Sequence, residues 1–270
     1  MPELPEVETI KRGLAKKIKG KTIKKIDIKL PKLVNFDVVG FQKEILGAKI
    51  EKISRRAKLL VLKLSNAGAI LIHLKMSGQL LYEGEIRKHA RAVFYFSDGT
   101  KLVFNDMRKF GYFKFLPQNK LNQFFEDKFG PEPLLSEFNL DKFNMIIKQK
   151  PNSRIKNFLL DQKNIAGIGN IYADEALFEA KITPTRRVRT LNKNEIKKLH
   201  KAIKNVLNNA IKHKGTSFQL YRDSAGKKGK FVRLLKVYQR EGKKCYFCSG
   251  TVKRIKLGSR SAYFCPKCQK

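Results

Sequence analysis

The chain of 270 residues contains no tryptophan, only four cysteines and only 23 acidic residues against 59 lysines and arginines. No apolar run approaches the ~18 residues that a membrane helix requires, and the N-terminus has no signal-peptide core. We therefore expect a soluble, cytosolic protein without a membrane partner. The 19 Phe and 8 Tyr must be buried in a folded core, which excludes a disordered basic tail.

The shortage of acidic residues leaves a formal net charge of +36. The charge is uneven, because residues 1–139 carry a net +12 and residues 140–270 a net +24. Such an excess predicts a polyanionic partner, most simply a nucleic acid. An AT-rich genome, whose codons raise the lysine count everywhere, explains part of the excess but not its concentration in one half.

The first half of the chain predicts one helix followed by short strands. Residues 2–17 place Leu4, Val7, Ile10 and Leu14 at helical spacing, with Pro5 in the first turn. Short β-rich segments with turns between them then favour a sandwich or barrel. The predicted strands are Thr22–Leu30, Leu59–Leu64, Ala69–Leu74, Ala92–Phe96 and Lys101–Phe104.

The second half predicts helices and a terminal module. A Pro-rich stretch at residues 130–134 indicates a linker, and residues 154–214 have a helical pattern interrupted by the glycine turn at 166–170. We predict four regions in an α+β multidomain protein. They are a helix with a β-sandwich (1–132), a linker (133–150), a helical domain (151–228) and a zinc finger (229–270).

All four cysteines lie in the last 26 residues, as two CxxC pairs separated by sixteen residues. Each pair supplies two thiolates from one tight turn, so this spacing predicts one tetrahedral, structural zinc ion. Disulfides are the alternative, and a cytosolic chain disfavours them. The residues between the pairs predict a hairpin that turns near Gly258-Ser259. The predicted ligands are Cys245, Cys248, Cys265 and Cys268.

The N-terminus offers a second candidate site. Initiator methionine is normally removed before proline, which would leave Pro2 with a free secondary amine next to Glu3. An α-amino group has a reference pKa of about 8, so more of it is neutral and nucleophilic at pH 7 than of a lysine. Its attack on a sugar C1′ would give a cationic iminium that favours elimination. Taken alone, Pro-Glu at the start of a chain more often indicates a helix cap.

Six motifs occur together in this sequence: PELPEVE, RRAK, HLKMSG, DMRKFG, GIGNIYADEALF and the paired CxxC turns. The set closely resembles bacterial formamidopyrimidine-DNA glycosylase from residue 2 to residue 270. The resemblance implies an N-terminal β-sandwich, a helix–two-turns–helix domain and a zinc finger, with DNA in a cleft between the halves. It also implies a monomer in the cytoplasm, associated with the nucleoid.

The resemblance implies a role for each matching residue. Pro2 would be the Schiff-base nucleophile and Glu3 the proton donor, while Lys58 would serve β-elimination and Arg260 δ-elimination. Met76, Arg108 and Phe110 would fill the void left by the flipped nucleotide. The segment from about Thr216 to Lys230 would fold over the lesion base. The implied phosphate contacts are His89, Lys156 and Asn170.

Three positions depart from the family pattern. Lys75 replaces a glycine, Arg91 replaces a histidine, and Ala262 replaces a threonine. We expect them to affect contacts with the DNA backbone and not the reaction.

Two other functions remain open from the sequence. Endonuclease VIII, which acts on oxidised pyrimidines, typically begins PEGPE and lacks the void-filling set, so Leu4, Met76 and Phe110 argue against it. A noncatalytic zinc-ribbon protein that binds DNA or RNA would explain the charge and the cysteines but not Pro2, Glu3 and Lys58. The expected substrate is duplex DNA that contains oxidised purines.

Overall fold

A computed structural model describes residues 1–270, which form two compact units. Unit 1 consists of residues 1–127 and 213–232, and unit 2 consists of residues 128–212 and 233–270. None of the helices combines the length and the apolar character needed to cross a bilayer.

Unit 1 begins with helix α1 (Leu4–Ile18), followed by two four-stranded antiparallel sheets. One sheet has the order β1-β6-β7-β5 and the other the order β2-β3-β4-β8. Helix α2 (Val38–Ile45) lies between β1 and β2 in sequence, and α3 (Gln118–Lys128) follows β8. The strands are β1 Ile23–Ile28, β2 Ile50–Arg56, β3 Leu59–Leu64, β4 Gly68–His73, β5 Gly78–Tyr82, β6 Ala90–Phe96, β7 Lys101–Asp106 and β8 Tyr112–Pro117.

One apolar core holds unit 1 together. It takes side chains from both sheets and from the face of α1 that presents Val7, Ile10 and Leu14. Phe113 lies at its centre, with its ring 4.9 Å from that of Phe104 and 5.5 Å from that of Phe94. The predicted helix and all five predicted strands are present, with shifts of a few residues at their ends.

Unit 2 contains four helices and one hairpin. The helices are α4 (Leu140–Lys148), α5 (Ile155–Leu160), α6 (Asn170–Glu179) and α7 (Lys193–Lys212). The hairpin consists of β9 (Lys253–Leu257) and β10 (Arg260–Phe264). Leu257 pairs with Arg260, so the hairpin turns at Gly258-Ser259 as predicted. Gly258 has a φ of +62°, which a glycine adopts at little cost.

The units differ from the predicted domain boundaries at two places. Helix α4 occupies half of the expected linker 133–150, because Asn139 caps it and its apolar residues Phe143, Ile146 and Ile147 are buried. Residues 213–232 return to unit 1, where Tyr221 joins the core. The return of residues 213–232 leaves no periodic signal in the sequence, whereas the helical spacing of Phe143, Ile146 and Ile147 does indicate α4.

Candidate functional site

The start of α1 is fixed by a buried carboxylate. The backbone N–H of Glu3 donates to Glu6 Oε2 at 2.8 Å, and the N–H of Thr216 donates to Glu6 Oε1 at 2.7 Å. Pro2 is buried, and only 3% of Glu3 and 1% of Glu6 is exposed. Glu6 thus connects the predicted catalytic residues to segment 213–232 within unit 1.

A second carboxylate connects α1 to the turn that carries Lys58. Arg55 donates from Nε to Glu8 Oε2 at 3.2 Å and from Nη1 to the carbonyl of Ala57 at 2.9 Å. Burial favours a raised pKa for Glu8, but Lys11, Arg12 and Arg55 outweigh it and hold the pKa below its ordinary value. Lys58, only 8% exposed, follows Ala57 in the β2–β3 turn. The structure therefore holds this turn against the helix that follows Pro2 and Glu3.

His73 is a site residue that the sequence analysis missed. It pairs with Leu59 across β3 and β4, one residue from Lys58. Burial, followed by the charges of Lys75 and Lys58, lowers the pKa of His73 to about 3. The neutral ring accepts a hydrogen bond at Nδ1 from the Lys75 N–H at 2.9 Å. The sequence signal for it is its place at the start of HLKMSG, the motif that also contains Lys75 and Met76.

The three predicted void-filling residues lie on two loops joined by Asp106. Its buried carboxylate accepts from the Ser77 hydroxyl, from the Arg108 N–H at 3.2 Å and from the Gly111 N–H at 2.7 Å. Ser77 follows Met76, and the turn from 106 to 111 carries Arg108 and Phe110. A single carboxylate therefore shapes both loops.

The side chains on these loops face solvent. Met76 is 42% and Phe110 53% exposed, and the Arg108 guanidinium lies 5.1 Å from the centre of the Phe110 ring. Exposed apolar side chains on a rigid turn suit insertion between base pairs.

His89, just before β6, and Arg91, on β6, support the same turn. His89 is exposed, and its carbonyl accepts from the Asp106 N–H at 2.9 Å. Arg91 Nε donates to the Asp106 carbonyl at 2.9 Å. The departure at position 91 thus supplies a structural contact to the turn that carries Arg108.

A cavity of about 600 Å³ lies beside these loops in unit 1. Segment 213–232 forms part of its wall, because Gln79 donates to the Leu220 carbonyl and the Tyr82 N–H donates to the Ser224 carbonyl at 3.0 Å. The lining also includes Ser77 and Asn105. Its size fits a small ligand such as a base.

In unit 2, Lys156 is buried and ion-paired. Its ammonium lies 2.6 Å from Asp174 Oδ1 and donates to the Ser261 carbonyl at 2.5 Å. The other oxygen of Asp174 accepts from the Tyr263 N–H at 3.0 Å. This placement does not agree with the predicted phosphate contact, because the ammonium has no exposed surface. Lys156 instead links α5 and α6 to the hairpin.

Asn170 and Arg260 occupy exposed or partly exposed ends of their elements. Asn170 begins α6 after Gly169, and its buried Oδ1 has no hydrogen-bond partner. Arg260 begins β10 and is exposed. A helix start and a guanidinium are both suited to phosphate.

The four cysteines form a metal site. Their sulfur atoms all lie within 4.8 Å of one another, with pairs at 3.4, 3.6 and 3.7 Å. A disulfide would require about 2.05 Å. Zn–S bonds of about 2.3 Å in a tetrahedron give sulfur pairs about 3.8 Å apart, which these distances fit. One structural zinc per chain is confirmed as the cofactor.

Two further departures have clear positions. Lys75 has a φ of +49°, the left-handed conformation that a glycine adopts without strain. Ala262 is fully buried in β10, so it reaches no ligand.

Comparisons with known proteins agree with this architecture. Family models for the formamidopyrimidine-DNA glycosylase N-terminal domain and its H2TH domain match residues 1–113 and 129–222. A model for the zinc finger found in FPG and IleRS matches residues 242–270.

Full-length relatives have the same description. Formamidopyrimidine-DNA glycosylases of Desulforamulus reducens and Streptococcus mutans are 41% and 42% identical. The matches cover 100% of this chain and 99% and 100% of those proteins.

Solved structures give the same result. A Lactococcus lactis FPG mutant bound to Fapy-dG-containing DNA has a TM-score of 0.93 at 35% identity, and coverage is 100% of both chains. MutM bound to carbocyclic 8-oxo-G DNA gives the same values.

Proposed function

We propose that Pro2 and Glu3 carry out the excision of oxidised purines in base-excision repair, because the chain belongs to the formamidopyrimidine-DNA glycosylase family. The substrates are 8-oxoguanine and formamidopyrimidines in duplex DNA. An AP lyase step, with β- and δ-elimination, then cleaves the strand. The observation that carries the residue assignment is the Glu3–Glu6–Thr216 network, which fixes the residues next to Pro2.

The reaction requires the Pro2 nitrogen as a free amine, so Met1 must be removed. The amine then lies just before the N-terminus of α1. Attack at C1′ forms the N–C bond while the glycosidic bond breaks, and the departing base takes a proton that Glu3 supplies.

Elimination follows once the sugar ring opens: the Pro2 nitrogen loses its proton, its lone pair forms the C1′=N bond of the cationic iminium as the C1′–O4′ bond breaks, and the proton is taken up by O4′. The iminium acidifies the neighbouring C–H bond, and loss of that proton expels the 3′-phosphate. We assign Lys58 to this β-elimination because it lies on the turn that Arg55 and Glu8 hold against α1. Arg260 serves the second elimination, at the 5′-phosphate. Neutral His73 keeps a second positive charge away from Lys58.

Extrusion of the lesion costs a few kcal/mol of stacking and pairing, which the protein must offset. Phe110 and Met76 replace stacking, while Arg108 donates hydrogen bonds to the orphaned base. We assign the cavity beside Ser77 and Asn105 to the extruded base, covered by segment 213–232.

Phosphate contacts complete the interface. His89, Asn170 and Arg260 are the proposed ligands, and Lys156 acts by holding the hairpin that carries Arg260. The protein works on duplex DNA as a monomer, in the cytoplasm and at the nucleoid.

The test is borohydride trapping and base excision on an 8-oxoguanine·cytosine duplex. We expect protein that begins at Pro2 to form a trapped complex, and protein with Met1 retained, verified by mass spectrometry, to form none. Full trapping with Met1 present would exclude the Pro2 assignment.

Glu3→Gln should bind the duplex normally and fail to excise the base, because an amide cannot donate the required proton. Glu44→Gln, at an exposed position on α2, is the matched control. Excision by Glu3→Gln within about tenfold of the parent, roughly 1.4 kcal/mol of barrier, would remove Glu3 from the mechanism.

A further inference from the structure

Two neighbouring aromatic side chains project from the zinc finger into solvent. Tyr246 is 61% and Phe247 67% exposed, the largest exposed fractions of any Phe or Tyr in the chain. They lie between the ligands Cys245 and Cys248, and the Phe247 N–H donates to the Cys245 sulfur at 3.4 Å. A metal-bound turn therefore presents them in a fixed orientation. The proposed catalytic and DNA-binding roles use neither residue.

Cations lie over both rings. The Arg240 guanidinium carbon is 3.6 Å from the centre of the Tyr246 ring, and Arg240 donates to the carbonyls of Lys236 and Lys244. The Lys236 ammonium is 5.3 Å from the Tyr246 ring centre and 5.5 Å from that of Phe247. These two hydrogen bonds hold the positively charged guanidinium of Arg240 at the edge of the apolar surface that the two rings form. We call Tyr246, Phe247, Lys236 and Arg240 the knuckle patch.

A groove of about 720 Å³ adjoins Phe247. The ring of Phe178, 5.7 Å from that of Phe247, and Ala180 supply its apolar wall. Its two side-chain carboxylates both have partners, since Glu195 pairs with Arg186 and Glu179 accepts from Asn205, and they are outnumbered by four lysines. The groove is therefore an apolar slot with a positive rim. Its lysines are Lys181, Lys198, Lys267 and Lys270.

The knuckle patch adjoins the ends of α6 and β10 that lie opposite the proposed phosphate contacts of unit 2. Helix α6 and strand β10 run side by side, since Asp174 binds Tyr263, and Phe178 packs with Cys265. Asn170 and Arg260 begin these two elements. Phe178 and Cys265 come at the other end, about 15 Å away by the rise per residue of a helix or strand.

We propose that the knuckle patch docks an acidic peptide segment of a partner protein, with an apolar side chain in the groove beside Phe247. The positive rim gives the charge complementarity, because its lysines can reach the carboxylates that flank such an anchor. Aromatic rings on a rigid turn are typical anchors of protein interfaces. This interaction goes beyond the proposed repair reaction, and its position lets the peptide and the damaged duplex bind at the same time.

The experiment measures fluorescence anisotropy of a labelled seven-residue probe peptide, Asp-Glu-Asp-Leu-Phe-Asp-Glu, with the full-length zinc-loaded protein. We expect saturable binding that weakens with added salt. A peptide with Ser-Gly in place of Leu-Phe keeps the charge and should bind at least about tenfold more weakly.

The protein variants separate the patch from the rest of the basic surface. Tyr246→Ser/Phe247→Ser and Lys236→Ala should each weaken probe binding, by about tenfold for the double variant. Met145→Ser, which removes a 60%-exposed apolar side chain from α4, is the matched control and should bind normally. Zinc content and excision activity should stay at parental levels in all three proteins, which shows that they are folded.

The proposal is wrong if the probe fails to bind at about 1 mM, or if the double variant binds as tightly as the parent. Release of the probe by a saturating lesion duplex would also overturn it, since the patch would then be a nucleic-acid surface. Simultaneous binding of probe and duplex supports it. None of these outcomes depends on whether Pro2 is the nucleophile, so failure here leaves the proposed function unaffected.

Discussion

Loops in the two units are held in place by different means. In residues 1–127 the loops that carry Met76, Arg108 and Phe110 extend from two sheets with a large common core. The apolar cluster that residues 233–270 form with α6 is small: its buried members are Phe178 of α6 and Val237, Cys245, Val252 and Cys265. A zinc ion and buried charged groups hold these loops in place, as apolar packing does in unit 1.

Buried carboxylates nevertheless serve both units in the same way. Asp106 accepts from two backbone N–H groups and one hydroxyl in unit 1. Glu175 of α6 accepts from the N–H groups of Lys236, Val237 and Tyr238, at 2.8 to 2.9 Å, in unit 2. Each fixes an irregular segment that carries proposed ligand-binding residues. The units therefore differ in what holds the carboxylate in place, which is a large apolar core in unit 1 and a zinc ion with a small apolar cluster in unit 2.

Removal of zinc should have the largest effect, and it should unfold the zinc finger in unit 2 while unit 1 stays folded. Structural zinc contributes about 10–16 kcal/mol to the folding of zinc-finger peptides. We expect chelation to abolish hydrogen-exchange protection in residues 242–270 and to leave strands β3, β4 and β7 protected. DNA binding should weaken because Arg260 loses its support. Equal loss of protection in both units would show that they unfold as one.

Glu175→Gln should cost about 2–4 kcal/mol of unfolding free energy, because its amide N–H₂ would face a backbone N–H donor. Asp106→Asn makes the matching change in unit 1, where the larger core limits the consequences to the turn. Urea unfolding compares the two, with exposed Glu241→Gln as the control. A larger loss for Asp106→Asn would reverse the comparison.

Acid should weaken unit 1 through His73. Its folded pKa is about 3 against about 6.5 unfolded, so the unfolded state binds the proton more tightly. The contribution of His73 to the free energy of unfolding is fully present above about pH 6.5 and decreases as the pH drops toward 3. From pH 7 to pH 5 the loss should be about 2 kcal/mol. His73→Gln should remove this part of the slope in urea unfolding at the two pH values. An unchanged slope would contradict the assignment.

Within unit 1, substitutions of Arg108 and of Phe110 should have different effects on base excision. Phe110→Ala should slow excision whichever base is opposite the lesion, since a ring replaces only stacking. Arg108→Ala should slow it about tenfold opposite cytosine and less opposite adenine, since hydrogen bonds are lost. Excision rates on two duplexes that differ at that base test this. Equal slowing by Arg108→Ala would make it a phosphate contact.

Lys75→Gly should have the smallest effect, a gain of up to about 1 kcal/mol of unfolding free energy, because glycine adopts a φ of +49° without strain. Lys52→Gly, on strand β2, should instead destabilise the protein by a similar amount. Thermal unfolding measures both. A loss for Lys75→Gly would show that the contact of its ammonium with the Tyr112 ring outweighs the strain.

The sequence by itself determined the helix at the N-terminus, the five predicted strands, the zinc ligands and the family. These depend on local periodicity, CxxC spacing and motifs, which are readable along the chain. Only the tertiary structure decided that residues 213–232 fold back onto unit 1 and that His73 lies beside Lys58. It also decided that Lys156 is buried against Asp174, 18 residues further along the chain. The physical reason is that burial and ion pairing depend on which distant segments pack together. From the sequence alone, a charged residue is expected to be exposed.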